Sequence, residues 1–118
     1  MGAVKFELLV DSVRDGLLVG TNCGEVDIPL GTTFTLARRV RPGTDDCRES
    51  ESGVELALTV AGVQWFNREI AVVPGGHSAG LTVSGPGLDW LASALRGLPR
   101  GEYIILVASG SADTEPIY

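Results

Sequence analysis

The sequence predicts an all-β fold, a closed antiparallel barrel of six to seven strands with one short helix. Three observations predict it. Apolar residues recur at every second position in several short runs, the period of a strand with one buried face. Gly and Pro turn signals separate these runs at fairly even spacing, as in a barrel or sandwich. Only one segment carries a helical period instead. Closure into a barrel removes the edge strands that would otherwise pair with other chains.

The strands follow in order. Phe6, Leu8 and Val10 alternate with Glu7 and Asp11, and Phe34 and Leu36 alternate with Thr33, Thr35 and Ala37. Val54, Leu56, Leu58 and Val60 form the longest run, Leu81 and Val83 the next, and Tyr103, Ile105 and Val107 close the series. Turns are predicted at Asp15-Gly16, Asn22-Cys23-Gly24, Pro29-Leu30-Gly31, Pro74-Gly75-Gly76 and Pro99-Arg100-Gly101. The helix is read from Leu88, Leu91, Ala92 and Leu95, an i, i+3, i+4, i+7 stripe. Asp89 in its first turn and Arg96 in its last suit the helix dipole, and Gly97 is placed to stop it. Arg41 to Gly53, with four acids, two arginines, Pro and Gly, reads as a mobile loop.

With 118 residues the chain has room for one core. A single barrel domain is expected over residues 1–108, with a flexible C-terminal tail at 109–118. A formal charge of −6 disfavours a protein that grips nucleic acid mainly through phosphates. The two cysteines, Cys23 and Cys47, fit no zinc or redox spacing, and free thiols are expected. The first residues lack the basic segment and apolar run of a secretion signal, and no apolar run approaches the ~20 residues needed to cross a bilayer. The expectation is a cytoplasmic protein without membrane contact.

The order of several short motifs resembles the second domain of elongation factor Tu, the translation-factor β-barrel. Phe6 to Val10 is similar to its opening strand and Gly16-Leu17-Leu18-Val19-Gly20 to its first hairpin. Gly24 to Phe34 resembles the second element, with one residue more between its glycines. Gly62-Val63-Gln64-Trp65-Phe66 resembles a turn, Gly76-His77-Ser78-Ala79-Gly80-Leu81 a strand, and Arg100-Gly101-Glu102-Tyr103-Ile104 the last strand. The match runs from Val4 to Val107, and order and spacing carry it. It implies a barrel in which Phe66 plugs one mouth. The chain departs from the family at Thr21-Asn22-Cys23, where the elongation factor usually has an Arg, in the acidic insert at Arg41 to Gly53, and in the helix-bearing span Gly85 to Leu98.

No phosphate-binding loop occurs, and Lys5 is the sole lysine, so nucleotide hydrolysis by this chain alone is not expected. His77 and Ser78 are adjacent and would point to opposite faces of a strand, which reads His77 as a surface loop residue. Nothing spaces a metal site, and neither a cofactor nor a catalytic cluster is expected. The candidate binding residues are Arg38, Arg39 and Arg41, the basic cluster, and Trp65 and Trp90. The arginines would meet RNA phosphates or an acidic partner, or pair with Asp45, Asp46, Glu49 or Glu51. Either Trp would anchor a partner or stack on a base if exposed, and otherwise pack half-buried.

The expected function is that of a stand-alone, non-catalytic binding module working through protein–protein contacts, with a protein partner or homo-oligomer. The alternative is RNA binding, of a tRNA acceptor end, which the resemblance implies.

Overall fold

Backbone pairing closes six strands into a ring. The computed structural model describes residues 3–40 and 53–111. The strands are β1 (Ala3–Arg14), β2 (Leu17–Asn22), β3 (Ile28–Pro29), β4 (Thr33–Val40) and β5 (Val54–Trp65), then β6 (Arg68–Ile70), β7 (Val72–Val73), β8 (Ser78–Ser84) and β9 (Tyr103–Ser111). One helix, α1 (Leu88–Arg96), lies between β8 and β9. The main sheet runs β4-β9-β1-β2-β8-β5-β6, and β4 also pairs with β5, so six strands form a ring with β6 attached beside it. Every pairing is antiparallel. β4, β5 and β8 are successive neighbours, and β9 returns beside β4 after the helical connection, which is a Greek key.

Three register shifts shape the ring. They fall between Val10 and Ser12 in β1, Phe34 and Leu36 in β4, and Val60 and Gly62 in β5. The first and third insert a residue in β1 and β5, which bends the strand and moves the inward positions on by one, whereas at the second two steps along β4 oppose three along β5, from Leu58 to Glu55. The core residue after Phe34 is Ala37 rather than Leu36, and the one after Val60 is Val63. After Val10, the next residue packed on the core is Val13. Strict alternation would have turned these strands inside out past each bulge.

Within the ring, Leu8, Leu18, Phe34, Leu58, Leu81 and Leu106 are wholly buried. In β9 the inward set is Ile104, Leu106 and Ala108, while Tyr103 is exposed and Ile105 half-buried. This corrects the predicted face of the last strand. Ile104 and Ile105 are equally apolar, and only register with β4, where Ala37 faces Leu106, decides between them.

Different elements close the two ends. At one end α1 packs on β1 with Leu91 wholly buried, and Leu88, Ala94 and Leu95 rest on the core. The predicted stripe thus forms the helix, and Gly97 follows its last turn, donating its N–H to the carbonyl of Ser93. At the other end β3 and β7 pair as a separate two-stranded sheet that buries Ile28 and Val73 completely. β9 extends to Ser111, three residues into the span expected as a tail. The predicted loop at 41–52 and residues 112–118 lie outside the described residues. Among the described residues, no helix is long and apolar enough to cross a membrane.

Candidate functional site

Two hairpins of the molecule use the same tight turn with very different residues. Asp15 and Gly16 join β1 to β2 with φ of 54° and 82°, and Phe66 and Asn67 join β5 to β6 with φ of 53° and 64°. Positive φ at both central residues marks the mirror-image turn whose twist matches the strands it connects. Asp-Gly is among its preferred sequences, because Gly has no Cβ and Asp tolerates the left-handed region. Phe does not, and a bulky residue at positive φ is a genuine outlier. Phe66 is also 80% exposed. The expectation that Phe66 plugs a barrel mouth is therefore corrected: the two-residue turn carries it to the hairpin tip, directed at solvent.

Trp65, the last residue of β5, is half-buried and packs on the core. Its ring meets Phe66 at 4.8 Å and 58° and His77 at 5.6 Å, edge-on. The three rings border a groove of about 370 Å3 whose remaining walls are small or neutral, among them Val19, Gln64, Ser78 and Gly80. A Cβ added at Gly80 would meet only ordinary contacts, with Leu17 at 3.6 Å, so the glycine leaves the floor open without being sterically obligatory. Ser78 shares a 2.7 Å hydrogen bond with Thr21 rather than pairing with His77.

The base of this end is fixed by Asn22, which is 1% exposed. Its Nδ2 donates to the carbonyls of Val26 and Val73, each at 2.9 Å, and its Oδ1 accepts from the N–H of Gly24 at 3.0 Å. Its backbone bonds with His77 and Gly76 complete the set. The side-chain amide of this one residue ties the end of β2 to the loop at Gly24–Val26 and to β7, and its backbone ties it to the loop at Gly76–His77.

The predicted binding residues that the structure describes do not form one site. Arg38 lies on the wall of β4, β9 and β1, where its Nη2 is 3.4 Å from Glu7 Oε2. Arg39, the next residue and so on the opposite face, donates from Nε at 3.2 Å and Nη2 at 2.9 Å to Glu102 Oε1. Both therefore pair with carboxylates across the sheet, which the sequence could not reveal. Arg41 and the acids expected to pair with the arginines lie outside the described residues. Trp90 is 39% exposed on α1 and shares a groove of about 320 Å3 with Arg39, Ala94 and Leu98 at the helix end. Trp65 sits at the other end. Arg39 and Trp90 come together, and of the other described candidates Arg38 and Trp65 do not join them.

Cys23 is an exposed free thiol. Among the described residues, no group of three or more His, Cys, Asp or Glu is placed to hold a metal.

The residue that sequence reasoning misplaced is Phe66. The available signal was Asn67, a left-handed turn residue between the runs ending at Trp65 and beginning at Arg68. A two-residue loop read there puts Phe66 at the tip. No family model, no curated protein and no solved structure matches this chain.

Proposed function

We propose that this protein is a non-catalytic binding module that docks a protein partner at the Trp65–Phe66–His77 end of the ring. The observation that carries this reading is Phe66, a large apolar side chain 80% exposed at a left-handed hairpin tip. Strain of this kind persists where surrounding structure enforces it and clusters at ligand clamps and switches. Trp65 braces the ring from below, so the side chain is presented on a rigid support. Aromatic anchors of this kind dominate protein interfaces.

The family reading stays with the module. Its support is the order of the glycine and aliphatic motifs from Val4 to Val107, together with a six-stranded antiparallel ring in Greek key order. We read that ring as a barrel resembling domain two of elongation factor Tu, here without a nucleotide domain. RNA binding draws less support, because Arg38 and Arg39 face different surfaces and each already pairs with a carboxylate.

The test is affinity capture from a lysate of the source organism, comparing the native chain with Phe66→Asn, with and without RNase. Proteins held by the native chain after RNase and lost from the variant are the expected result. Partners held equally by both, or released by RNase, would refute the reading.

A further inference from the structure

The chemistry around the Phe66 groove specifies the occupant more narrowly, on the premise that this groove is the docking surface. On the hairpin, Gln64 pairs with Glu69 and Trp65 with Arg68. Paired residues share a face and successive residues alternate. Val63 points into the core, so Trp65 and Arg68 fall on the inward side and Gln64 and Glu69 on the outward side. On the outward wall of β2, β8, β5 and β6, Glu69 is the carboxylate beside the groove, Glu55 lies at the far end of β5 opposite Leu36, and among the described residues there is no lysine or arginine. Beyond the rim, Glu25 and Asp27 are exposed in the loop that packs on Gly75, and Asp27 Oδ1 accepts the N–H of Gly75 at 3.0 Å. The nearby cation is Arg68, on the inward side of the hairpin. Lys5 and Arg38 belong to the opposite wall, both beside Glu7.

A groove bordered by three aromatic rings, with Glu69 on its hairpin and Glu25 and Asp27 beyond its rim, favours a cation over a neutral or anionic group. The face of an aromatic ring attracts ammonium and guanidinium groups, and an exposed ring such as Phe66 is open to such an approach. Carboxylates nearby add long-range attraction, and the chain as a whole carries −6. We infer that the partner is a basic polypeptide segment, which places an Arg or Lys side chain over Phe66 and lays its backbone along the open floor at Gly80.

The inference is tested on the full chain carrying Trp90→Phe, so that Trp65 is the sole tryptophan reporter. It is titrated with three synthetic peptides of about a dozen residues, identical except that three positions are Arg, Gln or Glu, and with a single-stranded RNA of similar length. The Arg peptide is expected to change Trp65 fluorescence saturably and to bind about tenfold tighter than the Gln peptide at low salt. That preference is expected to shrink at about 0.5 M salt, where surface charges are screened, and in Glu69→Arg. Equal or tighter binding of the Gln or Glu peptide would overturn the basic partner while leaving the groove as a docking surface. RNA binding tighter than the Arg peptide would overturn it in favour of nucleic acid. Silence from all four probes would overturn both the basic partner and the docking groove.

Discussion

The ring of Trp65 lies 4.8 Å from that of Phe66, and the two neighbours have opposite fates: Trp65 packs on the core, while Phe66 is directed at solvent. Holding a non-glycine residue in the left-handed region costs about 1–2 kcal/mol. A tilted aromatic pair contributes about 0.5–1.5 kcal/mol. The two nearly cancel, so Phe66 adds little to the stability of the fold that displays it.

Phe66→Asn tests this balance. Asn tolerates the left-handed region and forgoes the ring contact. The variant is expected to be at least as stable as the native chain in urea unfolding, while losing partner binding. A loss of more than about 1.5 kcal/mol, beyond what one aromatic contact supplies, would make Phe66 a structural residue instead.

Asn22 presents the reverse case. Asn22→Ala removes three side-chain hydrogen bonds made by a buried amide. Each bond contributes about 0.5–1.5 kcal/mol net. A destabilisation of about 3 kcal/mol is expected, read as a lower urea midpoint at unchanged slope. A loss below about 1 kcal/mol would show that the loops hold themselves without the amide.

Two glycines at positive φ separate strain from crowding. At Gly85, φ is 130° and an added Cβ would fall against the carbonyl oxygen of Ala57, whereas at Gly101, φ is 87° and the same atom would meet open space. Gly101→Ala is expected to cost about 1 kcal/mol from backbone strain, and Gly85→Ala about 2–4 kcal/mol because the backbone must also move. Thermal unfolding of both gives the ranking, and equal losses would contradict it.

How far the fold was legible depended on whether the deciding interactions were local. The strand runs through Leu8, Leu58 and Leu81 and the helical stripe through Leu91 are local patterns, and each fixed its element. The inward face of β9 was not local, because Ile104 and Ile105 differ only in register against β4. The register shifts after Val10, Phe34 and Val60 leave no local mark that sets them apart from ordinary alternation. The site followed the same rule. Arg38 and Arg39 found partners in Glu7 and Glu102, 31 and 63 positions away. Phe66 was misplaced because a large apolar residue reads as core unless the two-residue turn that carries it is recognised.

Cys23 offers a pH-dependent check on local packing. Burial of its sulfur pushes the thiol pKa above its ordinary value; a backbone hydrogen bond with Leu9 partly opposes this, and Glu7 and Asp11 add to the rise. The thiolate is the reactive form, so a thiol held neutral reacts more slowly at neutral pH. In Cys47→Ser, which leaves one thiol, alkylation of Cys23 is expected to lag behind a free cysteine and to accelerate only at higher pH. An inflection at or below that of the free thiol would contradict the packing.

Docking at this end of the ring requires Phe66 to touch the partner, and site-specific photo-cross-linking reads that contact directly. A photoreactive phenylalanine derivative is placed at Phe66 and, in a second preparation, at Tyr103, which is exposed at the helix end of the ring. After illumination in lysate of the source organism, a discrete protein adduct is expected from position 66 and not from position 103. Adducts from position 103 alone, or adducts to RNA in place of protein, would contradict the assignment of this end as the docking surface.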